Sequence, residues 1–137
     1  MSRPILLDTC ALLWLASDEK LKESAASALQ EMEADPKGIA ASPISAWEIG
    51  QLISRGRLRL PIDPRTWFQR ILDRGMALAP LTPSILMASS FLPASALRDP
   101  ADKILAATAR ELGYRLMTRD KPLLNFAADG HMQAIAC

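Results

Sequence analysis

Short runs of apolar residues alternate with helix-like segments along the whole chain. The first run, Ile5-Leu6-Leu7, is continuously apolar, a pattern typical of a strand that is buried on both faces. Strands of this kind, separated by helices, form parallel sheets with helices on both sides. The alternation predicts an α/β fold with three layers, α/β/α, around a central, mainly parallel sheet of four to five strands. The predicted strands are residues 4–8, 38–41, 76–81 and 115–118, with a short edge strand at 131–136.

Several predicted helices begin with a capping residue that is followed by proline. Ser, Thr and Asp side chains accept hydrogen bonds from the first backbone N–H groups of a helix, and proline suits the first helical position. This pair occurs at Ser42-Pro43, Asp63-Pro64, Thr82-Pro83 and Asp99-Pro100. The predicted helices are residues 9–16, 21–32, 43–55, 64–75, 83–91 and 101–112, whereas residues 121–127 form either a loop or a helical turn.

Length and composition bound the class of protein. The chain has 137 residues, 50% of them hydrophobic, so we expect a single folded domain over residues 1–137. No apolar stretch approaches the roughly 20 residues that span a membrane, and the first one is too short for a signal peptide. We therefore expect a cytoplasmic protein with no membrane partner. Its two cysteines provide neither a disulfide framework nor a zinc-binding spacing.

Five acidic residues stand where an α/β fold would expose them at one edge of the sheet. Asp8 and Asp120 end predicted strands, whereas Glu48, Asp99 and Asp102 lie at the starts of predicted helices. Carboxylates gathered from distant segments repel one another unless a cation lies among them, and oxygen ligands suit Mg²⁺ or Mn²⁺. The pattern predicts metal-assisted chemistry, with phosphodiester cleavage as the leading candidate. Without metal, repulsion should raise the pKa of at least one carboxyl.

Each of these acids also has a purely structural interpretation. Ser45 and Glu48 have the spacing of a capping box, in which the acid returns a hydrogen bond to the start of its helix. Asp8, Asp99 and Asp120 could each cap the helix that follows them, and for Asp99 capping is the stronger interpretation. Asp102 would then lie in the first turn of that helix, where an acid interacts favourably with the helix dipole. Their shared position at one sheet edge favours a joint role, and Asp8 most of all, because a carboxylate beside a buried strand is costly to desolvate.

Other polar and aromatic residues carry weaker signals. Arg55 and Arg57 could contact RNA phosphates or form a solvated basic linker. His131, the only histidine, is expected in a surface or packing role. The tryptophans lie in helical patterns, which predicts core or interface positions for Trp14, Trp47 and Trp67.

Several segments together resemble a known family. The segments are ILLDTCALLWL, ASPISAWEIGQLISRGRLRLP and RDPADKILAATARELGYRLMTRD. In this order they resemble the PIN-domain ribonucleases, specifically the VapC-type toxins of bacterial toxin–antitoxin pairs, over nearly the whole chain. The resemblance implies a PIN-like fold, catalytic roles for Asp8, Glu48, Asp102 and Asp120, and metal binding by Asp8, Asp99, Asp102 and Asp120. It also implies supporting roles for Thr9 and Thr118.

The resemblance further implies an activity and partners. The activity is endoribonuclease cleavage, in which a water activated by Mg²⁺ or Mn²⁺ attacks the phosphodiester and leaves 5′-phosphate and 3′-hydroxyl ends. Glu48 would position that water or act as the base. The implied partners are an RNA substrate, a small cognate antitoxin and a second copy of the chain. Leu97 and Ala101 depart from the family pattern, which leaves RNA contacts by Arg98 and Lys103 open.

Two other functions are compatible with parts of the pattern. One is a non-catalytic PIN-like module that binds RNA or protein, which a broken acidic set would favour, whereas here the set is complete. The other is a receiver-type phosphotransfer protein with a strand-end aspartate. The spread of acids over Glu48, Asp102 and Asp120 argues against it.

Overall fold

The structure, a computed structural model, describes residues 2–93 and 97–137. Within these residues the chain forms five strands and seven helices. In chain order they are β1 (Ile5–Leu7), α1 (Thr9–Ala16), α2 (Glu23–Met32), β2 (Ile39–Ala41), α3 (Pro43–Ser54), α4 (Pro64–Asp73), β3 (Ala77–Leu78), α5 (Pro83–Ala88), α6 (Pro100–Leu112), β4 (Arg115–Thr118), α7 (Lys121–Ala128) and β5 (Gln133–Ala136). The helices among the described residues are too short or too polar to cross a lipid bilayer.

The five strands form one parallel sheet in the order β3-β2-β1-β4-β5. In the central strand β1, Leu6 pairs with Ala40 of β2 on one side and with Leu116 of β4 on the other. All three residues of β1 are 0% exposed, which explains why this run is continuously apolar. The strand order reverses at β1, so the crevice beyond the carboxyl ends of β1 and β4 is where such folds bind ligands.

Helices cover both faces of the sheet. Ile5 and Leu7 belong to a buried cluster with side chains of α1, α2, α3 and α4. Leu6 points to the opposite face, where it packs with side chains of α6 and α7. Successive strand residues face opposite sides of a sheet, so the short β1 supplies both layers of the core. The predicted three-layer α/β/α architecture is confirmed.

The predicted helix starts at capping residues are confirmed. Ser42, Asp63, Thr82 and Asp99 each accept a hydrogen bond from a backbone N–H in the first turn of their helix. At the opposite end of α6, Gly113 takes the left-handed conformation with a φ of 75°, which ends the helix without the steric penalty of a side chain.

Some predicted boundaries were wrong. The strand predicted over residues 76–81 is only Ala77–Leu78, because Ala79 makes one more sheet-like bond, to the carbonyl of Ala41, and Pro80 has no N–H to continue. Helix α5 ends at Ala88 rather than near residue 91, and α2 begins at Glu23 rather than residue 21. Of the two alternatives for residues 121–127, the structure has the helix, α7, which Asp120 caps.

Candidate active site

Three of the predicted site residues begin helices that start at the carboxyl edge of the sheet. Asp8 follows β1 and caps α1 by accepting a hydrogen bond from the N–H of Ala11 at 2.7 Å. Asp120 follows β4 and caps α7 in the same way. Asp99 caps α6 by accepting from two backbone N–H groups. Their structural interpretation as caps is therefore correct, and it is compatible with a joint site.

Five acidic side chains converge at this edge, and the pKa of Asp102 reflects the charges of the other four. The pKa of the Asp102 carboxyl is raised to about 7, firstly by burial and then by the charges of Asp99, Asp120, Glu48 and Asp8. Each of the other four acids therefore lies within electrostatic reach of one carboxyl. The predicted rise in pKa is confirmed in direction, although burial contributes more to it than like-charge repulsion does.

Asp8 is the most buried member of the cluster, with 6% of its surface exposed. Burial raises the pKa of its carboxyl, and hydrogen bonds from Thr118 and Ala11 oppose that rise. The charge of Asp120 raises the pKa further, whereas the guanidinium of Arg119 lowers it. The carboxylate is thus held by local donors against the cost of desolvation.

Thr118 joins the two strand-end aspartates. Its hydroxyl donates to Oδ2 of Asp8 at 2.5 Å and accepts from the backbone N–H of Asp120 at 2.9 Å. The side chain of Thr118 has no exposed surface. The carboxylate of Asp8 therefore has a fixed orientation, with Oδ1 bonded to α1 and Oδ2 bonded to β4.

Glu48 is reached by a second threonine. The hydroxyl of Thr9 donates to Oε1 of Glu48 at 2.5 Å and also lies 3.0 Å from the hydroxyl of Ser45. Burial raises the pKa of Glu48, the bond from Thr9 lowers it, and the charges of Asp99 and Asp8 raise it. The capping-box interpretation of Ser45 and Glu48 was wrong, because Ser42 caps α3 and the hydroxyl of Ser45 is directed to Thr9.

The donor set fits a hard divalent cation. Both oxygens of Asp8 accept one hydrogen bond and keep a further lone pair, and a cation would relieve the repulsion that Asp102 experiences. Among the described residues, no three His, Cys, Asp or Glu side chains are already arranged as ligands of one ion. Carboxylates on separate elements repel one another, so we expect the cluster to tighten only when a cation binds.

Most of the basic residues proposed for RNA contact are exposed. Arg55, Arg57 and Arg98 are exposed, and Lys103 is half-buried in the first part of α6. The sequence interpretation missed Arg119, whose guanidinium lies 3.7 Å from the centroid of the Trp14 ring. Arg119 follows Thr118 directly in the chain, but nothing in the sequence pairs it with a tryptophan of α1.

The aromatic predictions had mixed outcomes. Trp14 and Trp67 are half-buried and pack against the core cluster that contains Ile5. Trp47 is 54% exposed, which excludes a core position for it. His131 packs against Phe126, with 4.9 Å between the ring centroids, in keeping with a packing role.

Comparisons with known proteins identify the family of the chain. Residues 5–128 match the model of the family described as PIN domain. Ribonuclease VapC22 of Mycobacterium tuberculosis is 35% identical over 120 residues, which are 87% of this chain and 88% of that protein. At this identity and coverage the relationship is one of family, and not of fold alone.

Solved structures share the fold at low sequence identity. A chain of the Rickettsia felis VapBC2 structure, bound to a promoter DNA fragment, has a TM-score of 0.70 and 13% identity, covering 96% of this chain and 97% of that one. A chain of the DNA-bound Salmonella typhimurium VapBC structure has a TM-score of 0.65 and 13% identity, covering 98% of each chain. The family match and the relative of 35% identity together show that the chain belongs to the PIN-domain family.

Proposed function

We propose that this chain is the toxin of a toxin–antitoxin pair and acts as a metal-dependent endoribonuclease. The observation that carries the proposal is the convergence of five carboxylates on one sheet edge, where the charges of the other four raise the pKa of Asp102. The 35% identity to ribonuclease VapC22 supports RNA as the substrate. The complete acidic set favours catalysis over a non-catalytic PIN-like module.

Asp8, Asp99, Asp102 and Asp120 would hold the divalent cation, Mg²⁺ or Mn²⁺. When bound, the cation supplies Lewis-acid activation of water and stabilises the charge that develops on the phosphate. The chain's own residues prepare this site. Thr118 orients Asp8, and the caps hold Asp99 and Asp120 at the starts of their helices.

We assign to Glu48 the role of positioning or deprotonating the attacking water. Its carboxylate is half-buried, and Thr9 holds it through a hydrogen bond of 2.5 Å. Because the attacking group is water, the 2′-hydroxyl of RNA is not consumed as nucleophile. The products would carry 5′-phosphate and 3′-hydroxyl ends.

Similar solved structures support a protein partner for this chain. The Rickettsia felis and Salmonella typhimurium structures are of VapBC complexes, which supports a small antitoxin as the partner of this chain. A homodimer and a cytoplasmic location complete the proposal. Contacts to RNA phosphates are assigned to Arg55, Arg57, Arg98 and Lys103, because their positive charges suit phosphate groups.

Cleavage of end-labelled total RNA by the antitoxin-free protein tests this function. The reactions contain Mn²⁺, Mg²⁺ or EDTA, and Asp8→Asn is compared with Asp129→Asn, which changes an exposed acid at the end of α7. We expect metal-dependent cuts by the wild type and by Asp129→Asn, and none by Asp8→Asn. Cleavage in EDTA, or by Asp8→Asn at the wild-type rate, would contradict the proposal. Metal binding without any cleavage would favour the binding module.

A further inference from the structure

The hydroxyl of Ser45 is fully buried beside the active site and has one hydrogen-bond partner among the described residues. Ser45 is 0% exposed, and its Oγ lies 3.0 Å from Oγ1 of Thr9. Ser45 lies in α3, one helical turn before Glu48, whereas Thr9 begins α1. Three side chains from two helices therefore form a continuous line that ends at a carboxylate of the site.

The number of available protons determines which group donates in each of these two hydrogen bonds. The hydroxyl of Thr9 has one proton, and an ionised carboxylate can only accept. Thr9 therefore uses its proton to donate the 2.5 Å hydrogen bond to Glu48. Hydrogen bonds from a hydroxyl to a charged acceptor are usually this short. The bond between the two hydroxyls must then use the proton of Ser45, which donates to Thr9.

We infer that Ser45 is a positioning residue for Glu48, acting through Thr9 in a relay from Ser45 to Thr9 to Glu48. A threonine hydroxyl can turn about its C–O bond, and a hydrogen bond accepted by its oxygen restricts that rotation further. Donation by Ser45 leaves Thr9 with its proton directed at Oε1 of Glu48. The inference deepens the proposed nuclease function and rests on it, because it assigns to Ser45 a role in the step that needs Glu48.

The same arrangement recurs at Asp8, where its first donor cannot be mutated. There the backbone N–H of Asp120 donates to Thr118, and Thr118 donates to Oδ2 of Asp8. In both relays a buried threonine accepts one hydrogen bond and donates another to a carboxylate of the site. Ser45 has the same role toward Thr9 as that N–H has toward Thr118. Because Ser45 acts through its side chain, a single substitution can test its role.

The test is a double-mutant cycle on the initial rate of cleavage of end-labelled total RNA in Mn²⁺. Ser45→Ala should slow cleavage by about 10- to 100-fold, as is typical when a residue behind a site group is lost. Glu48→Gln should slow it by at least about 100-fold. Ser45→Ala should add less than about twofold in the Glu48→Gln background, because residues that act as a unit are not additive.

Matched variants separate positioning from folding. Ser89→Ala removes another buried serine hydroxyl, one that donates only to the carbonyl of Leu86, and should leave the rate unchanged. Should Ser45→Ala not fold, Thr9→Val should lose the rate while Thr9→Ser, which keeps the hydroxyl, restores it. Additive effects of Ser45→Ala and Glu48→Gln, or full activity of Thr9→Val, would overturn the inference.

A second readout needs no activity. In the metal-free wild-type protein, the buried hydroxyl proton of Thr9 should exchange slowly enough to give an NMR signal, and Ser45→Ala should abolish it. If the wild type cuts no RNA but this signal behaves as expected, the proposed function fails and the relay stands. If Glu48→Gln is inactive while Ser45→Ala has the wild-type rate and signal, the relay fails and the proposed function stands.

Discussion

The hydroxyl of Thr118 donates a 2.5 Å hydrogen bond to Oδ2 of Asp8, across the two neighbouring central strands of the sheet. Neither side chain has room to turn away, because Thr118 is 0% and Asp8 is 6% exposed. Thr118 also accepts from the N–H of Asp120, so the ends of β1 and β4 are joined through one hydroxyl. This bond holds Asp8, the most buried member of the acidic cluster, in one orientation.

Replacing Thr118 by valine keeps the shape of the side chain and removes the hydroxyl. Asp8 then loses the bond that opposes the rise in its pKa, and the N–H of Asp120 loses its acceptor. We expect the free energy of unfolding at pH 7 to fall by about 2 kcal/mol, the usual scale for a buried hydrogen bond to a charged group. Urea denaturation measures it, with Thr118→Ser as the control that keeps the hydroxyl. Equal stability of the valine and serine variants would contradict the prediction.

The metal-free protein should lose stability as the pH rises through the weakly acidic range. A carboxyl with a raised pKa binds more protons in the folded protein than in the unfolded chain, so the free energy of unfolding falls with rising pH. For Asp102 this fall starts near the ordinary pKa of 3.8 and ends near the folded pKa of about 7. The raised pKa values of Asp8 and Glu48 act in the same direction.

Comparison with Asp102→Asn isolates this effect. The asparagine variant cannot ionise at that position, so its stability relative to the wild type should increase steadily from pH 4 to pH 7 and stay constant above. Urea denaturation in EDTA at several pH values measures the difference. A difference that is constant with pH would show that the carboxyl of Asp102 has an ordinary pKa in the folded protein.

Asp99 has two assigned roles that two substitutions can separate. Its carboxylate caps α6, and asparagine can replace it in that role, whereas alanine cannot. We expect Asp99→Ala to lower the free energy of unfolding by about 1 kcal/mol and Asp99→Asn to change it little. Both variants should bind Mn²⁺ more weakly, since each loses the charge. Wild-type Mn²⁺ affinity in Asp99→Asn would leave Asp99 as a helix cap alone.

The contact between Arg119 and Trp14 should contribute to stability beyond charge alone. The guanidinium lies over the indole ring at 3.7 Å, and it donates to the carbonyl of Lys20 at 3.3 Å. Arg119→Ala should lower the free energy of unfolding by about 1 kcal/mol, the scale of a partly exposed cation–π contact. Arg119→Lys keeps the charge and should recover only part of it. Chemical denaturation followed by tryptophan fluorescence measures the loss, and no change in Arg119→Ala would contradict it.

The sequence predicted those parts of the fold that depend on local patterns. The continuous run at residues 5–7 predicted a strand buried on both faces, and cap-plus-proline pairs predicted the starts of α3, α4, α5 and α6. The strand-end position of Asp8 and Asp120 follows from the same patterns. The family resemblance is confirmed by the match of residues 5–128, and the residue roles that it implies remain predictions.

Contacts between distant segments were outside the reach of those patterns. The sequence predicted Ser42 as the cap of α3, but only the packing of α1 against α3 shows that Ser45 turns to Thr9 instead of forming a capping box with Glu48. The pairing of Arg119 with Trp14 likewise depends on how β4 lies beside α1. Such contacts depend on tertiary packing, which the spacing of residues along the chain does not predict.

We expect the clustered carboxylates to form one divalent-cation site. Isothermal titration calorimetry of Mn²⁺ into the metal-free protein at pH 7.5 tests it most directly, with Asp102→Asn and the exposed-acid control Asp129→Asn beside the wild type. The wild type and Asp129→Asn should bind Mn²⁺ alike, and Asp102→Asn should bind it at least about tenfold more weakly, because it loses a charged oxygen ligand. Absence of binding to the wild type, or equal binding by Asp102→Asn, would contradict it.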